Sequence, residues 1–191
     1  MKRFPSIAVL LMAIFLSNTG NADPVRIKDA RFDTRFTLSE PPLQLRGAGL
    51  LKYAVFIDVY AAALYLPPQT ASAQALEPEV AKRLEIVYFV DITREQFAAA
   101  AMKTLARQLS DADMQKLRDR IDQLHTLYRN VGNGDRYALT YRPDQGTTLE
   151  LNGNVLGAIP GADFAAAYFS IWLGEEPIAP ALKDTLLKPG T

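Results

Sequence analysis

The chain of 191 residues carries 21 basic and 21 acidic side chains, 49% hydrophobic residues and no cysteine. That is the size and charge of an ordinary single domain, and no basic excess or clustered basic stripe is present to replace counterions on a phosphate backbone, which excludes nucleic-acid partners. Without disulfides the fold must rest on its apolar core, and without cysteine the chain lacks the residue whose lipid modification tethers exported bacterial proteins.

Met1, Lys2 and Arg3 precede an apolar run over residues 7–16 and a polar stretch that ends at Ala22. A charged start, a short apolar run and small residues at Gly20 and Ala22 are the parts of a signal peptide. The run is far shorter than the roughly 20 apolar residues of a membrane-spanning helix. The expectation is a signal peptide over residues 1–22 and a domain over residues 23–191, soluble in the periplasm or secreted, with no stable membrane anchor.

Residues 30–38 alternate apolar and polar, as a half-buried strand does, until Pro41 and Pro42 end it. Leu43 and Leu45 open another alternating segment. Residues 50–66, LLKYAVFIDVYAAALYL, read as one or two strands with both faces covered, and residues 83–90 as one more. The period then becomes helical. Thr93 and Gln96 form a capping-box pair, with Phe97, Ala101, Met102 and Leu105 on one face. Ser110 opens a second helix, whose Met114, Leu117, Ile121, Leu124 and Tyr128 recur at spacings of three and four, and which Gly132-Asn133-Gly134 stops. Residues 137–141 and 147–159 return to strand, with a hairpin turn at Asn152-Gly153. An apolar helix over residues 162–173 is closed by Gly174, and a short helix over residues 181–187 ends the chain. Strands, helices, a hairpin and helices again make one α+β domain with a mainly antiparallel sheet.

The inventory for chemistry is thin. His125 is the sole histidine, without neighbours at ligand spacing, and reads as a surface or boundary side chain, so no metal and no cofactor is implied. No G-x-S-x-G elbow or phosphate-binding glycine motif occurs, and Arg46-Gly47-Ala48-Gly49 reads as a sheet bend or bulge. Glu85, Asp91, Asp135 and Glu150 fall on expected solvent faces or turns. The aromatics Tyr53, Phe56, Tyr60, Tyr65, Tyr88 and Phe89, with Tyr168, Phe169 and Trp172 on the apolar helix, read mostly as core; some could line a lipophilic cavity.

The segments Gly47-Ala48-Gly49, residues 59–66 (VYAAALYL), Gly146-Thr147 with Asn152-Gly153, Ala162-Asp163-Phe164, and Ile171-Trp172-Leu173-Gly174 followed by Pro177 and Leu182-Lys183 resemble, in this order, the bacterial exported branch of the chalcone isomerase-like family. The resemblance spans nearly all of residues 23–191. It implies an α+β open-faced sandwich: a large antiparallel sheet covered by a helical layer, with a ligand cleft between. The family holds enzymes that close a chalcone to a flavanone, fatty-acid-binding relatives and non-catalytic partners of flavonoid enzymes.

The resemblance also places the enzymes' functional positions on this chain. Their arginine falls on Leu51, their threonine on Tyr60, their tyrosine on Phe97, the following asparagine on Thr104, and the hydroxyl residue before the helix-ending glycine on Ile171. The cation and most donors for the developing enolate are gone, and each oxyanion-type donor is worth about 10² to 10³ in rate. Fatty-acid-binding relatives hold the carboxylate with the same arginine and tyrosine, which Leu51 and Phe97 replace. No residue is therefore assigned a catalytic role. Three readings stay open: a binding or accessory envelope protein for a lipophilic small molecule such as a fatty acid, an isomerase- or lyase-type enzyme with a rearranged site around Tyr60, Thr104 and Lys52 or Lys103, and a structural domain with a filled cleft. No protein partner is identified.

Overall fold

The computed structural model describes residues 23–37, 42–54 and 56–188; the expected signal peptide lies outside them. A seven-stranded antiparallel sheet runs in chain order: β3 (Arg35–Phe36), β4 (Leu43–Tyr53), β5 (Ile57–Leu66), β6 (Lys82–Tyr88), β7 (Arg136–Arg142), β8 (Gly146–Leu151) and β9 (Asn154–Ile159). Between the neighbours β6 and β7 the chain makes two helices, α1 (Arg94–Gln108) and α2 (Asp111–Leu127). After β9 come α3 (Ala162–Leu173) and α4 (Pro180–Leu187). The first two strands, β1 (Val25–Ile27) and β2 (Ala30–Phe32), pair as a separate hairpin.

The alternation of side chains along a strand divides the core in two. From β5 and β6, Tyr60, Ala62, Leu64, Leu84, Ile86 and Tyr88 face the helices, where Leu105, Ile121, Phe164 and Tyr168 complete the main core. On the other face Ala61, Ala63, Tyr65 and Val87 meet Ala30 and Phe32 of the β1–β2 hairpin. Strands covered on both faces lose the polar alternation of half-exposed ones, which is why residues 59–66 read as a continuous apolar run.

Several boundaries differ from the sequence expectation. The single strand expected over residues 30–38 is two, β2 and β3, because the chain changes partner from β1 to β4 between Phe32 and Arg35. α2 ends at Leu127, short of Gly132. There the Arg129 side chain donates to the carbonyls of Thr126, Leu127 and Tyr128, which satisfies the last turn, and the Tyr137 hydroxyl accepts from the Arg129 amide and donates to its carbonyl. The Asn152-Gly153 turn is as expected: both residues have positive φ, 51° and 81°, as a type I′ hairpin requires.

Gly47 and Gly49 do more than accommodate a bulge. A register shift lies between Leu45 and Gly47, and a Cβ at Gly47 would stand 2.2 Å from the Thr185 carbonyl oxygen. The glycines therefore form the seat on which α4 rests against β4. Glu85 and Glu150 are not on a solvent face. Glu85 is buried and accepts from Arg83 and Arg136, while Glu150 takes a two-pronged bond from Arg83 at 3.0 and 3.1 Å; the β1–β2 hairpin and the Phe36 ring, 3.9 Å from the Arg83 guanidinium, cover this part of the sheet. The aromatics Tyr53 and Phe56 are likewise not core but exposed at the β4–β5 turn.

Candidate functional site

Between the sheet and the helical layer lies a cavity of about 180 Å³. Its floor is the helix-facing row of the central strands, Leu84, Ile86, Tyr88, Tyr137, Leu139 and Leu149. Its roof is the first two turns of α1, with Gln96, Phe97, Ala100 and Ala101, and one wall comes from Tyr168, Ile171 and Trp172 of α3. Gln96 and Ala100 are exposed while Leu51, Val59 and Ile178 are half-buried, so the mouth lies between the start of α1 and the β4–β5 pair.

Local sequence explains the placement. The capping box forms as expected, Thr93 Oγ1 accepting from the Gln96 amide and Gln96 Oε1 from the Thr93 amide, and this starts α1 so that Phe97 falls in its first turn. The Phe97 ring lies 5.3 Å from that of Tyr88, 5.2 Å from Tyr128 and 5.5 Å from Tyr137. On the sheet, Leu51 pairs with Tyr60 and Lys52 with Asp58. Val59 is the extra residue of a bulge, which turns it and Tyr60 together toward the cavity.

Of the five family-equivalent positions, Leu51, Tyr60, Phe97 and Ile171 line the cavity together. Thr104 does not; it is buried further along α1, its hydroxyl donating to the Ala100 carbonyl at 2.9 Å. Lys52 points away and pairs with Asp58 at 3.1 Å, beside Lys28 on the same carboxylate, and Lys103 is exposed. The cleft is thus open rather than filled. Family position alone misses Tyr128 and Tyr137, although the helical and strand periods place both on inward faces.

Among the described residues no lining side chain carries a formal charge, and the polar groups are mainly tyrosine hydroxyls. Most of these are engaged. Trp172 Nε1 donates to Tyr60 Oη at 3.0 Å, Tyr128 and Tyr168 share a bond of 2.7 Å, and Tyr168 also meets His125 Nε2 at 3.2 Å. His125 is accordingly a boundary residue with a hydroxyl partner, and burial holds its imidazole below its ordinary value of 6.5. Tyr88 differs: it is 4% exposed, and its hydroxyl has no hydrogen-bond partner among the described residues. Burial raises the phenols of Tyr60, Tyr88, Tyr128 and Tyr168 above the usual 10, so all four stay protonated near neutral pH and serve as neutral donors or acceptors.

Residues 24–188 match the family model described as chalcone isomerase-like. Among solved structures the chain is similar to a fatty-acid binding protein of Arabidopsis thaliana, with a TM-score of 0.67 and 16% identity over 86% of this chain and 96% of that one. No curated protein matches.

Proposed function

Since the chain belongs to the chalcone isomerase-like family, we propose that it uses the family's cleft as a container and not as a reaction vessel, holding an uncharged lipophile that presents one hydroxyl or carbonyl group. The observation that carries this reading is the lining itself: apolar and aromatic, without a charge, and with one hydroxyl, on Tyr88, that has no partner among the described residues. A carboxylate drawn into such a site would leave water without a cation to meet it, which is costly. A neutral oxygen would lose little and would satisfy Tyr88. The structural likeness to a fatty-acid binding protein supports a lipid-like ligand.

At about 180 Å³ the space is near the roughly 150 Å³ that accepts a benzene ring and below the roughly 300 Å³ where drug-sized pockets begin. It holds a ring or a short acyl segment, and the rest of a longer ligand lies along the mouth. Burial of a few hundred Å² at about 25 cal/mol per Å², less the cost of association, gives micromolar affinity. Trp172, the sole tryptophan, lies in the lining and reports binding directly. Fatty alcohols should quench or shift its emission saturably, and fatty acids of the same length should bind about tenfold more weakly or not at all. Absence of saturable binding by the alcohols, or a preference for the acids, would refute the reading.

The same proposal places the protein outside the cytoplasm, matured at Asp23. Its support is the charged, apolar and small-residue order of residues 1–22, together with a family match that starts at residue 24. Terminal sequencing of the protein from its host decides it; retention of Met1 would count against export.

A further inference from the structure

Three of the five large hydrophobic side chains that stand exposed among the described residues sit at one place, the β4–β5 turn: Tyr53 at 69%, Phe56 at 89% and Ile57 at 47%. Tyr53 and Ile57 are cross-strand partners. Counting along the pleat from Leu51, Tyr53 falls on the cavity side of β4; counting back from Tyr60 through the Val59 bulge, Ile57 falls on the same side of β5. An apolar track therefore runs from the turn, past Leu51 and Val59 at the mouth, into the cavity. The opposite side of the hairpin is charged, with Lys28 at 2.6 Å and Lys52 at 3.1 Å both held by the single carboxylate of Asp58, which leaves one net positive charge beside the apolar tip.

We propose that this tip docks into the surface of a phospholipid bilayer and that the cavity loads and unloads its ligand there. The occupant follows from size and charge. Tyr53, Phe56 and Ile57 expose roughly 400 Å² in all, about half of the roughly 800 Å² that each partner contributes to a stable protein interface. An aromatic tip of that size suits the headgroup region, where tyrosine and phenylalanine place an apolar body among acyl chains, and the surplus lysine charge falls at the level of lipid phosphates. Among the described residues no helix is long and apolar enough to cross a membrane, so the association is peripheral and reversible. The inference rests on the lipophile-binding reading for its purpose, since a ligand that partitions into membranes is collected most readily at their surface.

Flotation of the protein recovered from its host, on vesicles of phosphatidylcholine and of phosphatidylcholine mixed equally with phosphatidylglycerol, tests the docking. The wild type should float with the mixed vesicles. The double variant Tyr53→Ser with Phe56→Ser, altered only at exposed side chains outside the cavity lining, should partition roughly tenfold less, with its circular dichroism and its Trp172 titration by a fatty alcohol unchanged. Failure of the wild type to float on either vesicle, or equal flotation of wild type and variant, overturns the inference. So does self-association of the wild type that the double variant abolishes, which would assign the tip to a second copy. Loss of the alcohol titration with flotation intact would remove the container reading and leave the docking standing.

Discussion

Replacing Tyr88 by phenylalanine should raise the stability of the empty protein and lower its affinity for a hydroxylated ligand, two effects of opposite sign from one oxygen atom. The ring keeps its neighbours, since Tyr60, Phe97 and Tyr137 contact it through edge packing at 5.8, 5.3 and 6.1 Å, so no apolar contact is lost. What is removed is a hydroxyl without a partner among the described residues, a kind of group that costs about 1–3 kcal/mol where water cannot reach it. Because the cavity has a mouth that admits water, the lower end applies, and a gain of about 1 kcal/mol should raise Tm by roughly 2–4 °C in a domain of this size. In the complex the same hydroxyl contributes a net hydrogen bond of about 0.5–1.5 kcal/mol, so Kd for a fatty alcohol should rise roughly two- to twelvefold. Thermal unfolding followed by circular dichroism and titration followed by Trp172 emission give the two numbers independently. A variant that is less stable, or that binds the alcohol as well as the wild type, would show that Tyr88 is packing alone and not the polar anchor of the site.

Three further outcomes test the scaffold around the cavity. Arg83→Met should cost about 1–3 kcal/mol in denaturant unfolding, because the largely covered Glu150 loses its guanidinium and the buried Glu85 keeps Arg136 alone; a cost near zero would mean that Glu150 finds water. Gly47→Ala should cost about 1–3 kcal/mol, since the new methyl group meets the carbonyl oxygens of Thr185 and Leu186, and hydrogen exchange should show α4 loosened; unchanged protection of α4 would contradict the seat. Lys82 is wholly buried, its amine bonded to the Glu77 carbonyl at 3.0 Å, and burial lowers its pKa to about 8 from 10.5. The unfolded chain then holds more protons between those values, so the wild type should gain stability as pH rises from about 8 to 10.5, whereas Lys82→Met should lose that gain; parallel pH profiles would refute the assignment.

The elements most legible in the sequence are those whose signal is local. The Thr93–Gln96 box and the Asn152-Gly153 turn are satisfied by hydrogen bonds or dihedral angles within a few residues, and both stand where the sequence puts them. The apolar helix over residues 162–173 also keeps its bounds, because burial on nearly every side gives a continuous apolar run. What is not legible depends on partners distant in the chain. Nothing near Glu85 announces that Arg136, 51 residues on, will pair with it, or that the β1–β2 hairpin will cover that face. The end of α2 falls earlier than the sequence suggests because Arg129 terminates it by taking three carbonyls, an action glycine-based rules do not anticipate.

At the site, four of the five positions carried over by family resemblance share the cavity and Thr104 does not, since its hydroxyl turns back to its own helix. Family position brings four residues to one cavity and leaves that cavity's polar content unread. Tyr128, Tyr137 and Tyr168 reach it from the end of α2, β7 and α3, and their hydroxyls are assigned only when partners from separate elements are counted.

The chemistry of the cavity follows from where those hydroxyls have gone. Tyr137 is tied to the Arg129 backbone, Tyr128 and Tyr168 to each other and to His125, and Tyr60 receives the Trp172 indole. Each bond fixes a ring in the wall and occupies hydrogen-bonding capacity that a reacting ligand would otherwise use. Burial keeps the phenols protonated near neutral pH, and among the described residues the lining holds no cation, with Leu51 at the mouth and Phe97 in the roof. Stabilising the charge that develops in the transition state contributes most of the acceleration in reactions of that kind, and the proposed container role draws on a lining whose described residues carry no charge. The fold is compatible with either role, and the decision between them lies in the residues at the mouth and in the bonds that hold the tyrosines back.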